Sequence, residues 1–299
     1  MRLVLTLVCR DFDSLQRALP EGLEAIAAAG APVSDMRQLG AGAMDLFTEG
    51  AEPTRLAAAA RRVLGRQPVD VCVQPAEDRF KRLLVADMDS TIINCECLDE
   101  LADLAGQGAA VAAVTARAMS GELDFEAALT ERVRRLAGAS SDLLDRVWRE
   151  RVALSAGART LVQTMAAGGA TCVLVSGGFT FFTSRVREAA GFADHRANRL
   201  ILEDGRLTGE VARPILGREA KLEVLNEESR RLGLPLEATL AVGDGANDLA
   251  MIAAAGLGVA YRAKPIVAEA ADARIDHTDL TALLYFQGIE QSQFVVDEP

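Results

Sequence analysis

Histidine is nearly absent: the 299 residues contain two, His195 and His277. Neither has an acidic or cysteine partner at metal-ligand spacing, which argues against a Ser-His-Asp hydrolase and leaves both as surface or loop side chains. Cysteines are few and odd in number, Cys9, Cys72, Cys95, Cys97 and Cys172, with no Cys-x-x-Cys pair. Neither a disulfide framework nor a zinc site is expected, and these thiols read as small buried hydrophobes. No apolar run approaches the ~18 residues that would span a bilayer. The opening stretch from Met1 to Cys9 has the look of a secretory leader, but Arg10, Asp11 and Asp13 follow at once and no small-residue cleavage site appears. It reads as a strand, and a reducing cytoplasm is the expected location. Positive charge is also short: 32 Lys and Arg stand against 43 Asp and Glu, a net charge of −11. That balance repels polyphosphate backbones and anionic lipid, so neither nucleic acid nor membrane is expected as a partner, although a small anion can still be bound locally.

What is present is globular material, 50% hydrophobic and 25% charged, with length enough for about two domains. Aromatics are only 4%, so much of the apolar content is alanine, which favours helices with thin, closely packed faces. Residues 1–78 alternate strand-like and helix-like segments: a strand over 3–9, a helix over 15–29, a hairpin through Gly40-Ala41-Gly42 to Phe47, a helix over 54–64 and a strand over 69–73. That order, βαββαβ, predicts a small α+β ferredoxin-like unit. Pro75-Ala76-Glu77-Asp78 suits a linker, with a new domain starting at Arg79. Beyond it come short continuous apolar runs at 82–86, 170–175, 239–242 and 258–260, separated by helical segments. Strands buried on both faces read this way, and the pattern predicts an α/β fold with a Rossmann-like parallel sheet. Residues 95–155 read as helices throughout and far exceed an ordinary crossover, so they are expected to form an inserted helical cap. The core would then comprise 79–94 and 156–299. Asp204-Gly205 between apolar flanks predicts a β-hairpin.

Three strand ends carry chemistry. Asp87-Met88-Asp89-Ser90-Thr91 ends the first core strand, where ligands bind in open α/β sheets. Alone, an Asp-x-Asp pair is usually a solvated turn that caps the next helix. Ser176-Gly177-Gly178-Phe179 ends the second; glycines let backbone approach an anion and free amides at a helix start bind phosphate oxygens, but a tight turn explains the segment equally well. Gly243-Asp244-Gly245-Ala246-Asn247-Asp248 ends the third and is denser in acids than a turn requires. Asp87, Asp244 and one main-chain carbonyl would suit Mg²⁺, a hard cation that takes oxygen ligands. Lys221 on its own reads as a solvated helix lysine.

Taken in order, these motifs with Lys221 between the second and third resemble the haloacid dehalogenase-like phosphohydrolases from Arg82 onward. More narrowly, residues 87–96, the run from Met119 to Phe125, Arg132, residues 176–179 and 242–251 are similar to the phosphoserine phosphatase family. The resemblance implies Mg²⁺-dependent hydrolysis of O-phospho-L-serine to L-serine and phosphate, the final step of serine biosynthesis, through an aspartyl phosphate. Asp87 is implied as nucleophile and Asp89 as general acid and base; Asp87, Asp244 and the Asp89 main-chain oxygen are implied as metal ligands. Asn247 and Asp248 would form the outer shell, with Asn247 also near the substrate. Ser176, Gly177, Gly178 and Lys221 would hold phosphoryl oxygens. In the cap, Glu96 is implied as partner of the substrate ammonium and Arg132 as clamp on its carboxylate, with Met119 and Phe125 beside them. Without the family pattern, these four would read as a helix surface with two core apolars. The amino-terminal unit looks like the ACT-type regulatory modules that accompany amino-acid enzymes. Its first strand-to-helix turn, Arg10-Asp11-Phe12-Asp13-Ser14, lacks the Pro-Gly such modules often use, so a dimerising scaffold in a homodimer is the simpler expectation. Two other readings stay open: a phosphatase or phosphotransferase acting on another small phosphomonoester, and an amino-acid sensor with a vestigial phosphatase core.

Overall fold

The computed structural model describes residues 1–119 and 122–296. The amino-terminal unit runs β1 (Arg2–Val8), α1 (Phe12–Ala28), β2 (Val33–Gly40), β3 (Ala43–Glu49), α2 (Pro53–Leu64) and β4 (Asp70–Pro75), and its strands pair antiparallel in the order β2-β3-β1-β4. Helix α1 starts where Asp11 accepts the Ser14 amide at 2.7 Å, and Pro53 opens α2, where its missing N–H costs nothing. Leu3, Leu5 and Leu7 alternate onto one face and pack with Leu15, Ile26 and Leu56 from the helices. The other face is also covered. Val8, Leu39, Ala43 and Cys72 share a hydrophobic cluster with residues 282–286 near the chain's carboxyl end.

The stretch after β4 is more than a polar linker. The Arg79 guanidinium, 6% exposed, donates to both oxygens of buried Asp45 at 3.0 and 2.7 Å, and the Lys81 amide donates to the Gln287 side chain at 2.9 Å. We propose the division at 78/79, with 79–94 and 156–299 as core and 95–155 as cap, but the two parts meet through a bonded joint.

The second part comprises β5 (Leu83–Asp87), α3 (Cys97–Leu104), α4 (Gly108–Met119), α5 (Phe125–Arg134), α6 (Asp142–Glu150), α7 (Ala158–Ala167), β6 (Thr171–Phe179), α8 (Thr180–Ala190), β7 (Asp194–Asn198), β8 (Leu200–Glu203) and β9 (Arg206–Val211). It continues with α9 (Ala220–Leu232), β10 (Thr239–Gly243), α10 (Leu249–Ala254), β11 (Leu257–Tyr261), α11 (Pro265–Ala270), β12 (Ala273–Ile275) and α12 (Ala282–Phe286). Six strands form a parallel sheet in the order β12-β11-β10-β5-β6-β7. Leu84 and Ala86 face one apolar cluster and Leu83 and Val85 the other, so β5 is buried on both sides. The chain goes from β5 to β6 on one side and later places β10 on the other. That reversal opens a crevice at the carboxyl ends of three adjacent strands.

Helices α3 to α6 form the insertion, whose two connecting segments meet in an antiparallel bridge between Ile93 and Leu154. The hairpin β8–β9 turns at Asp204 and Gly205, with φ of +48° and +72°, as a tight primed turn requires. It leans on the insertion, where Ser140 bridges Arg206. Among the described residues, no helix is long and apolar enough to cross a membrane.

Candidate active site

The ends of β5, β6 and β10 bring the three motifs together. Asp87 ends β5 and is 5% exposed. The next turn passes through Ser90, whose φ of +57° lies in the left-handed region, an uncommon conformation for a residue with a side chain. This coil lets the Ser90 amide donate to the Cys95 carbonyl at 3.2 Å and its hydroxyl to Glu96 Oε1 at 2.7 Å, which folds the start of the insertion back over the sheet end. Asp89 accepts the Cys97 amide and the Ser176 hydroxyl, each at 2.9 Å. The two glycines after Ser176 are required by close approach: a Cβ on Gly177 would stand 2.8 Å from the Phe125 ring, and one on Gly178 would stand 2.9 Å from Asp89 Oδ2.

Lys221, from the first turn of α9, lies beneath this floor at 3% exposure. Its Nζ is 2.7 Å from Asp87 Oδ1 and 2.5 Å from Asp248 Oδ1. Asp248 Oδ2 accepts the Asp244 and Gly245 amides at 3.1 and 2.9 Å. Both oxygens of Asp248 are therefore engaged, and its work here is to fix Lys221 and the loop after β10.

Burial raises the Asp87 carboxyl well above its ordinary value; neighbouring Asp248 adds to the rise and Lys221 opposes it. Asp89 is raised by burial against the pull of the Cys97 amide and Ser176. Burial, then Asp248, raises Asp244. For Lys221 burial disfavours the charge, but Asp87 and Asp248 outweigh it and the ammonium is held more firmly than usual. Four carboxylates thus crowd about one buried ammonium. Oxygens of Asp87, Asp244 and Asp248 lie within 4.8 Å of one another. An all-oxygen donor set with surplus negative charge fits a hard divalent cation.

Above this floor is a cavity of about 450 Å³, with Asp87, Asp89, Ser176, Gly177, Gly178, Asp244 and Asn247 below and Glu96, Phe125 and Arg132 on the insertion side. All of these are residues predicted from the sequence; Lys221 reaches the site from beneath, and the Met119 side chain lies outside the described residues. Burial first, then Asp89, pushes the Glu96 carboxyl up to about 7. Arg132 Nη2 donates to Asp99 Oδ1 at 2.7 Å. Asp99 lines the cavity and was not predicted, nor were Ser90 and Lys264. The signal for Asp99 was its three-residue spacing from Glu96, which places both acids on one side of a helix start. His195 lies on strand β7 rather than in a loop, with Nδ1 2.8 Å from the Thr183 hydroxyl.

A family model described as haloacid dehalogenase-like hydrolase matches residues 84–253. A phosphoserine phosphatase of Archaeoglobus fulgidus is 42% identical over 225 residues, covering 75% of this chain and 65% of that protein. One from a Polaromonas species is 47% identical over 208 residues, covering 68% and 88%. The chain spans less than two-thirds of the Archaeoglobus relative and of those from Streptomyces coelicolor and Mycobacterium tuberculosis, at 65%, 62% and 57%. The solved structure of a haloacid dehalogenase-family hydrolase from Salmonella enterica serovar Typhi superposes with a TM-score of 0.84 at 30% identity, covering 95% of this chain and 98% of the other.

Proposed function

The chain belongs to the haloacid dehalogenase-like hydrolase family, and from that premise we propose that it hydrolyses O-phospho-L-serine to L-serine and phosphate with Mg²⁺. The observation that carries the substrate is that one carboxyl and one guanidinium, those of Glu96 and Arg132, line the cap side of the cavity. Glu96 and Arg132 face the same space as Asp87, and a zwitterionic amino-acid head needs one partner of each sign. A sugar phosphate has use for neither. The cytoplasmic setting and the homodimer expected from the sequence belong to the same proposal.

Asp87 attacks phosphorus and the bond to the seryl oxygen breaks, leaving the phosphoryl group on the Asp87 carboxylate. Asp89, whose raised value favours the protonated form, gives its proton to the departing oxygen. It then takes one from the water that cleaves the acyl phosphate. Ser176, the Gly177 amide and Lys221 hold phosphoryl oxygens, and Lys221 places positive charge where negative charge gathers. Asp87, Asp244 and the Asp89 main-chain oxygen would hold Mg²⁺, which when bound offsets repulsion between carboxylate and phosphate. Chelation should therefore abolish phosphate release and Mg²⁺ restore it. Ca²⁺ should inhibit, since its higher and looser coordination misaligns Asp87; comparable rates with the two ions would contradict this ligand set.

Arg132→Ala tests the substrate. Charge-assisted hydrogen bonds are worth roughly 1.5–3 kcal/mol, so kcat/KM for L-phosphoserine should fall about 10- to 200-fold. O-phosphoethanolamine, which has no carboxylate, should lose little. Equal losses on both would remove Arg132 as a carboxylate clamp.

A further inference from the structure

The loop after β12, residues 276–281, belongs to the catalytic part but is held by the amino-terminal unit. Asp70, the first residue of β4 and 2% exposed, directs its carboxylate at this loop. Its Oδ1 accepts the amides of Asp276 at 2.8 Å and His277 at 3.1 Å; its Oδ2 accepts the Thr278 amide at 2.8 Å and the Thr278 hydroxyl at 2.5 Å. The loop's carbonyls are engaged as well, that of His277 by Arg10 Nε at 3.0 Å and that of Thr278 by Arg262 Nη2 at 3.3 Å. A single carboxylate thus satisfies three consecutive backbone donors, which fixes the loop's path.

On its other side the same loop meets the cap's return segment. The Leu280 amide donates to the Ala156 carbonyl at 3.1 Å. Contact at Gly157 is close enough that a Cβ there would lie 2.7 Å from Asp279 Oδ1. One residue before Ala156, the Ser155 amide donates to the Ile92 carbonyl at 2.9 Å, and Leu154 bridges Ile93. Ile92 closes the turn that holds Asp89. The insertion joins the core chain through these two segments, so their placement sets where Glu96, Phe125 and Arg132 stand above Asp87.

We propose that the amino-terminal unit buttresses the cap and that Asp70 is a positioning residue for the reaction, acting through residues 276–281 and Ala156 on the cap's two connecting segments. The substrate arm of the following test rests on the phosphoserine reading; the exchange arm does not.

In the full chain, Asp70→Asn keeps the shape but turns an amide N–H₂ toward backbone donors. Amide hydrogen exchange should quicken at His277, Thr278 and Leu280 and, further on, at Ser155, while residues 84–86 in the central strand stay protected. Because the cap holds the head group, kcat/KM for L-phosphoserine should fall on the order of tenfold. p-Nitrophenyl phosphate, with neither ammonium nor carboxylate, should change less than about twofold on the same ground. Thr278→Val, which removes the hydroxyl's bond to Asp70, should show the same pattern more weakly and serves if Asp70→Asn folds poorly. Unchanged exchange at Ser155 in both variants would overturn the buttress. So would equal losses on both substrates with a lowered Tm and no change at Ser155, since Asp70 would then only join two units. Faster exchange at Ser155 with equal losses on both substrates would uphold the buttress and overturn the head-group assignment, and faster exchange with no loss on either would overturn the positioning role.

Discussion

Asp87→Asn should abolish turnover, with kcat falling on the order of a thousandfold or more. An amide is too weak a nucleophile to take the phosphoryl group, and the substitution leaves the shape of the site unchanged. Asp87 is buried at the end of β5 and its Oδ1 accepts the Met88 amide at 2.8 Å, a bond the Asn carbonyl can still accept. The fold should therefore survive. Since burial and Asp248 disfavour charge on the wild-type carboxyl, the neutral variant should be at least as stable as the parent. Thermal melting and steady-state phosphate release check both halves. Near wild-type turnover would rule out covalent catalysis by Asp87.

Lys221→Met should damage activity and stability together. The ammonium sits 2.7 Å from Asp87 and 2.5 Å from Asp248, at 4% side-chain exposure. Its removal leaves two buried carboxylates facing each other, and breaking a buried pair from one side costs about 3–5 kcal/mol. The loss at the transition state is separate. A preorganised charge aimed at phosphoryl oxygens contributes about 10²–10³ in kcat. Melting in chelating buffer reads the first effect, and kcat with saturating Mg²⁺ reads the second. A variant that melts like wild type would show that the Lys221 pairs with Asp87 and Asp248 do not hold the fold. Unchanged kcat would remove Lys221 from the phosphoryl site.

The grouping of the three motifs at the floor of the candidate site was legible in the sequence because each piece couples two independent signals: an apolar run short enough to be a buried strand, then acids, hydroxyl or glycines at its carboxyl end. Topology does the rest, since adjacent parallel strands deliver their ends to one crevice. Lys221 carries no such signal and gained meaning only from the motifs around it. Asp99 was not legible as a partner of Arg132, since an acid in the first turn of a helix already has a sufficient local explanation in capping and the dipole. Strands β7 and β12 escaped for a different reason: Asp194-His195-Arg196-Ala197-Asn198 is polar at a sheet edge, and β12 is three residues long. The joint between the two parts was the least legible. Arg79 and Asp70 look like ordinary solvated charges until the tertiary fold supplies Asp45 for one and the loop after β12 for the other. Burial of a charge depends on a distant partner, and local composition does not report it.

The central claim, a hydrolase that recognises a phosphorylated amino acid by its zwitterionic head, is tested most directly by phosphate release from the wild-type chain. The substrates are L-phosphoserine, L-phosphothreonine, O-phosphoethanolamine and glucose 6-phosphate, each with Mg²⁺ and with chelator. A site built to pair with both charges of the head should favour L-phosphoserine over glucose 6-phosphate by at least about a hundredfold in kcat/KM, and only with the metal present. Equal kcat/KM for the sugar phosphate, or release that persists under chelation, would contradict it.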